Sequence, residues 1–315
     1  MEEKVKYLLS RFSALTKQEK EIVMRIGQPA FDFIEDIVSE EVLSDPNHLL
    51  NSMAKLSKNI LGEYSQAVLV DIEDGIFLVD SEDMVVGAML RQEGRYQKEE
   101  IEAIKSFINN DSKVLFVGAH IGVFAVPIAR IVENIVCIEA NLSSYKLLEY
   151  NMKLNNITNC KLYNTVAFNY DGEIDFIINR ENSGGSKIVP FGNLDPYVTE
   201  TSNIVELSCC RLDSLLKDQD FDVVIMDLEG AELFALLGMP KILEKVKLLF
   251  IEFIPHHIKN VAMIEISAFC EPLEIFDKLI IPELSKEIDK EDIPSVLKVF
   301  FECDKSFDSL IFKKK

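Results

Sequence analysis

The chain has 315 residues, of which 48% are hydrophobic and 27% charged, enough for one large α/β domain plus an appendage. A formal net charge of −20 repels phosphate and argues against non-specific nucleic-acid binding. No apolar run approaches the roughly 20 residues that span a bilayer, so neither a nucleic-acid nor a membrane partner is expected. The start Met1-Glu2-Glu3-Lys4 has no basic region followed by an apolar one, so no secretory leader and a cytoplasmic location are expected. The six cysteines form no Cys-x-x-Cys pair; Cys137, Cys209 and Cys210 lie in apolar or strand-like runs and read as buried reduced thiols rather than redox or zinc residues.

Residues 1–66 read as helices. Val5, Leu8, Leu9 and Phe12 recur at helical spacing, and Thr16-Lys17-Gln18-Glu19 forms a capping-box pattern. Asp45-Pro46 breaks the pattern and Leu49 to Leu61 resumes it. With no catalytic cluster in it, this region is expected to be a cap or an oligomerisation element, possible in a homodimer, with a substrate lid as the alternative. From Val68 the texture changes to a second domain over 67–315. Val68–Val70 and Ile76–Val79 read as short strands around Glu73-Asp74-Gly75, and Gln97–Phe107 as a helix.

Val114 to Gly122 then reads as a buried strand running into a glycine turn, followed by a helix over Val123–Val132 and a strand Ile135–Ile138 ending on Glu139. Such a unit presents bare backbone to a nucleotide-like ligand at a helix N-terminus, and an acid about 20 residues on can accept the ribose hydroxyls. A Ser-capped helix follows at Ser143–Asn155, then strand-like runs at Lys161–Phe168, Glu173–Ile178 and Val205–Cys210. Val223–Met226 ends on Asp227 and Leu248–Ile251 on Glu252. Continuous apolar strands separated by helices indicate a parallel sheet covered on both faces, with ligands at the strands' C-terminal ends. Lys278–Ile281, a helix around Ile293–Phe301 and Ser309–Phe312 suit a terminal antiparallel pair.

Asp227-Leu228-Glu229-Gly230-Ala231-Glu232 crowds three carboxylates at a strand end. The helix dipole accounts for Glu232. Asp227 and Glu229 repel each other, so they meet a cation, act as base and positioning group, or share a proton. Two carboxylates could ligate Mg²⁺, which is possible but not predicted. No Cys/His spacing fits zinc, and no Gly-x-Ser-x-Gly elbow appears. His256 and His257 follow the Glu252 strand, and either could take a proton from an acceptor. His48 has no role.

The chain resembles the FkbM family of S-adenosylmethionine-dependent methyltransferases over roughly residues 70–255. The resemblance rests on an ordered series: Asp74-Gly75-Ile76-Phe77, Val86-Gly87, Gly94-Arg95-Tyr96, Val117 to Gly122, Ile138-Glu139-Ala140-Asn141, Asn151 to Asn155, Ser183 to Ser186, Leu212 to Leu215, Asp227 to Glu232 and Ile251-Glu252. It implies a Rossmann-like class I methyltransferase sheet, mostly parallel with the last strand antiparallel. It also implies a cofactor site at Gly118, Ala119, His120, Gly122, Glu139, Ala140, Asn141, Ala167 and Asp227 for S-adenosylmethionine, with S-adenosylhomocysteine as product, and typically a hydroxyl acceptor. Asp227, Glu229, His256 and His257 are the expected catalytic residues. The chain departs from the family pattern at Phe116, where an acid is usual, at His120, usually Asn, and at Ile225, often Lys. In place of the usual Asn, His120 is expected to donate a hydrogen bond to a carboxylate. The leading expectation is an O-methyltransferase acting on a small molecule or natural product. The alternatives are N-methylation of a peptide or amide and a binding or scaffold protein that has lost turnover.

Overall fold

The computed structural model describes residues 46–62, 64–193, 198 and 202–315. The patterns at Val5–Phe12 and Thr16–Glu19 lie outside the described residues. The chain divides after Gln66 into two units. In the first, helix α1 spans Pro46–Leu61. Pro46 opens this helix, where its missing N–H costs nothing. Among the described residues no helix is long and apolar enough to cross a membrane.

The second unit begins with a hairpin, β1 (Ala67–Ile72) and β2 (Gly75–Asp80), paired antiparallel. Helices α2 (Val86–Glu93) and α3 (Lys98–Lys105) follow; α2 has no counterpart in the sequence reading. The core sheet is then laid down by β3 (Lys113–Val117), α4 (Ala125–Ala129), β4 (Asn134–Glu139), α5 (Leu142–Leu154) and β5 (Cys160–Asn164). Helix α4 is shorter than expected, because the chain uses Gly118 to Phe124 for the turn. The cap of α5 is Asn141, whose Oδ1 accepts the Ser143 N–H at 3.0 Å, not Ser143 itself.

The run at Lys161–Phe168 is two strands in two sheets. Strand β5 closes the main sheet, whereas β6 (Val166–Ala167) joins β7 (Gly172–Ile178), β8 (Lys187–Ile188) and β9 (Asn203–Cys210) in a separate four-stranded sheet ordered β6-β9-β7-β8. Strand β9 alternates exposed and less exposed residues along most of its length, the mark of a sheet with one solvated face. After α6 (Leu212–Leu215) the chain returns to the core through β10 (Val223–Met226), α7 (Glu232–Leu237), α8 (Pro240–Lys245) and β11 (Leu248–Phe253). The last elements are α9 (Pro255–His257), α10 (Ile266–Cys270), β12 (Lys278–Ile281), β13 (Lys286–Asp289), α11 (Ile293–Glu302) and β14 (Phe307–Lys313).

The main sheet is ordered β13-β12-β14-β11-β10-β3-β4-β5. Strands β5, β4, β3, β10 and β11 run parallel, and β14 is antiparallel to both β11 and β12. β10 is buried throughout, which is why these strands read as apolar runs. One amide pair ties the hairpin to this core. Asn151 on α5 and Asn155 at its C-terminal cap accept the N–H groups of Leu78 and Ile76 at 2.6 and 3.0 Å and donate back to the same residues' carbonyls at 3.1 and 2.7 Å. The two side chains thus do for the free edge of β2 what a neighbouring strand would do.

Register positions the site. Val117 pairs with Ile138 and with Met226, and Met226 pairs with Ile251. The next residues, Glu139, Gly118, Asp227 and Glu252, therefore form one row across β4, β3, β10 and β11, at strand spacings of about 4.8 Å.

Candidate active site

The turn after β3 is shaped by close approach. Gly118 has φ +89°, and a Cβ there would lie 1.8 Å from the Asp227 carbonyl oxygen. Only glycine lets β3 and β10 meet so closely. The Gly118 and Ala119 N–H groups donate to the Ile138 carbonyl at 2.9 and 3.0 Å, and the His120 N–H donates to Glu139 Oε2 at 2.8 Å. A cavity of about 220 Å³ opens above the strand ends, far larger than the roughly 10–15 Å³ that one water needs. Gly118, Ala119, His120, Glu139, Ala140, Ala167, Asp227 and Glu229 line it. Gly122 and Asn141 serve it indirectly. A Cβ on Gly122 would press on Leu148 at 2.7 Å, so its role is to seat α5, and Asn141 caps that helix.

At one end of the row, Glu139 is 8% exposed. Its carboxylate also accepts the Asn141 N–H at 2.8 Å. Burial outweighs these hydrogen bonds and pushes its pKa up to about 7. Ile138, Ala140, Val166 and Ala167 form an apolar wall beside it.

At the other end acids converge. Asp227, Glu229 and Glu252 line the cavity. Glu232 is taken up structurally: its Oε1 accepts the N–H groups of Leu228 and Gly230 at 3.0 and 3.2 Å. Burial, then the Glu229 charge, hold Asp227 well above the usual carboxylate range; burial, then Asp227, do the same for Glu252. Asp227 is exposed, with its side chain on the cavity. Glu229 sits at φ +56°, His120 at φ +49° and Gln97 at φ +40°, three non-glycine residues in the left-handed region that line one cavity.

The counter-cation is Lys187 of β8, buried, with Nζ 2.8 Å from Glu229 Oε2. His257 lies behind this pair, its Nε2 3.5 Å from Glu229 Oε2 and 3.4 Å from Lys187 Nζ. Among the described residues its buried Nδ1 has no hydrogen-bond partner. Burial, reinforced by Lys187, lowers its pKa to about 4, so the ring is neutral at pH 7. His256 is not part of this cluster: it is exposed and its Nδ1 lies 3.1 Å from Asn260 Nδ2. On the short helix α9, neighbouring residues point about 100° apart, so only one histidine faces inward. Among the described residues no group of three or more His, Cys, Asp or Glu side chains is placed to hold a metal ion.

Sequence reasoning missed Lys187, Asp83, Tyr96 and Glu100. Lys187 carried a signal: a lone lysine entering an apolar strand directly after Ser183-Gly184-Gly185-Ser186. Glu100 faces the cavity and burial pushes its carboxyl up to about 8.

Residues 117–304 match the methyltransferase FkbM domain. The chain belongs to the FkbM methyltransferase family. Its sheet is the Rossmann-like class I methyltransferase arrangement, with β14 as the reversed last strand. A crystal structure of methyltransferase FkbM from Methylobacillus flagellatus KT is 14% identical, with 93% of this chain and 60% of that chain covered and a TM-score of 0.37. The M. jannaschii tRNA m1G37 methyltransferase is 15% identical, with 81% and 59% covered and a TM-score of 0.39. M. jannaschii TYW2 in complex with AdoMet is 15% identical, with 60% and 63% covered and a TM-score of 0.33. The chain thus spans less than two thirds of the length of each of these structures. No curated protein matches the chain.

This FkbM chain fills the place of the usual first-strand acid with an aromatic wall. The Phe116 ring lines the cavity and meets Phe124 edge-on at 6.4 Å, and Phe124 meets Tyr96 in the same way at 6.3 Å. Burial, then the charges of Asp227 and Glu229, hold the Tyr96 phenol protonated well past its ordinary range. Ile225 contributes a further apolar surface.

Proposed function

We propose that the chain is an S-adenosylmethionine-dependent methyltransferase that methylates a hydroxyl of a small molecule or natural product. The observation that carries this reading is the row Glu139–Gly118–Asp227–Glu252 bordering one cavity. The donor set fits the cofactor. Glu139 offers a carboxylate to vicinal hydroxyls, the Ile138–Ala140–Val166–Ala167 wall offers an apolar face to a base, and the acids exceed the single Lys187 charge, which favours a cation. When bound, S-adenosylmethionine supplies a methyl group activated on a sulfonium.

The chain's own residues position the acceptor and take its proton. Asp227, lifted by burial and by Glu229, is the base we assign, because it faces the cavity and its pKa is held well above the usual carboxylate range. Lys187 holds Glu229 in place, and neutral His257 fills the space behind them. A walled cavity supports a small hydroxyl acceptor over a peptide, for which an open acidic groove is the better match.

Calorimetry with S-adenosylhomocysteine tests the cofactor. Glu139→Ala is expected to weaken binding by roughly 10–100-fold, and unchanged affinity would remove the assignment. In a screen with labelled methyl donor, Asp227→Asn is expected to lower transfer to a hydroxyl acceptor by roughly 10²–10⁴-fold. Transfer to amide acceptors alone would overturn the O-methylation.

A further inference from the structure

Asp83 and Ser183 are 100 residues apart in sequence and meet at the cavity wall. Asp83 is almost fully buried, and its Oδ1 accepts the N–H groups of Val85 and Gly87, each at 2.9 Å. Its Oδ2 accepts the Ser183 N–H at 3.1 Å and the Ser183 hydroxyl through a short hydrogen bond. Ser183 Oγ lies 2.7 Å from His120 Nε2. The hydroxyl has one proton, and it goes to Asp83, a carboxyl group whose two oxygens also accept three backbone N–H groups. The Ser183 oxygen can therefore only accept from the ring, so Nε2 carries the imidazole proton. His120 Nδ1 has no hydrogen-bond partner among the described residues, and His120 lines the cavity.

We propose that Asp83 and Ser183 are positioning residues that lock His120 as the Nε2–H imidazole, so that its Nδ1 accepts a hydrogen bond from an ammonium group of the bound ligand. The lock reverses the expected role of His120, a donor to a carboxylate, because its ring proton is already committed to Ser183. Burial lowers the His120 pKa and keeps the ring neutral. The neighbouring aromatic wall of Phe116, Phe124 and Tyr96 favours a cation too. An uncharged acceptor and a set of ring faces thus take over a task that a strand carboxylate performs in the usual pattern. The identity of the ligand rests on the methyl-donor reading above; the lock itself does not.

Nitrogen NMR of the full-length, ligand-free protein reads the lock directly. The expected spectrum shows His120 protonated at Nε2 and bare at Nδ1. A ring protonated at Nδ1, or at both nitrogens at neutral pH, would overturn the proposal. Ser183→Ala is expected to release the preference, and an unchanged Nε2–H signature in that variant would count equally against it. Calorimetry then compares S-adenosylhomocysteine with methylthioadenosine, which has the nucleoside and thioether but no ammonium. Ser183→Ala is expected to weaken S-adenosylhomocysteine roughly tenfold and to leave methylthioadenosine unchanged. Equal effects on the two ligands would overturn the ammonium contact. Wild-type protein that binds neither ligand would sink the methyl-donor reading and with it the ammonium contact, while the NMR result would still decide the lock.

Discussion

The two ends of the cavity use the same side-chain type at equivalent strand positions and solve the burial problem differently. Glu139 has no cation beside it among the described residues and is held by backbone N–H groups of His120 and Asn141 at 2.8 Å. Asp227, Glu229 and Glu252 face one another around Lys187 and have one salt bridge at 2.8 Å among them. The first end is satisfied by directional hydrogen bonds and is built to hold a ligand in one orientation. The second is held by charge and leaves Asp227 with a raised proton affinity, which suits proton transfer. On the function proposed above, β4 serves binding and β10 chemistry.

The largest effect is expected where the two ends meet. Gly118→Ala puts a Cβ against the Asp227 carbonyl. A loss of about 4 kcal/mol or more is expected in chemical denaturation, and a variant of wild-type stability would show that β3 and β10 do not approach as described. Next, Lys187→Met removes the only cation that the described residues place at the acidic end. It should cost about 3 kcal/mol at neutral pH and less in acid, where protonated carboxyls no longer need a partner. A pH-independent loss would mean that Lys187 contributes packing only.

The binding end has its own signature. The Glu139 carboxyl, ordinarily near 4.5, is lifted to about 7 by burial. Between those values the folded chain holds a proton that the unfolded chain has lost, so this group's stabilisation is present in acid and disappears as pH rises through 7. His257, lowered to about 4, works in the opposite direction, but only below its ordinary 6.5. Glu100, lifted to about 8, works in the same direction as Glu139, so the ligand-free protein should melt several degrees lower at about pH 8 than at about pH 6.5, and Glu139→Gln should reduce that slope without abolishing it. An identical slope in the variant would place the titration elsewhere. The smallest effect is expected for His256→Ala, within about 0.5 kcal/mol and with S-adenosylhomocysteine affinity unchanged. A weakened complex would return His256 to the site.

Much of the binding end was legible in the sequence because it is local. A buried strand, a glycine turn and an acid closing the next strand lie within Val114–Glu139, and parallel pairing does the rest. Glu232 was legible for the same reason, as a residue in the first turn of α7. The acidic end was only half legible. Asp227 and Glu229 stand out as crowded charges, but their cation arrives from β8, in a separate sheet whose strand β6 the pattern of Lys161–Phe168 joins to β5. Asp83 and Ser183 gave no joint signal, since nothing local links residues 100 apart. His256 and His257 are indistinguishable as neighbours and differ only through the direction each takes from α9.

The sequence by itself determined the parallel core, the strand ends that carry Glu139, Asp227 and Glu252, and the family, because apolar periodicity and glycine turns are properties of short segments. Only the tertiary structure decided which charges are paired, which of His256 and His257 meets the Lys187–Glu229 pair and which nitrogen of His120 holds a proton. Those depend on desolvation and on hydrogen-bond partners that the fold brings together from distant parts of the chain.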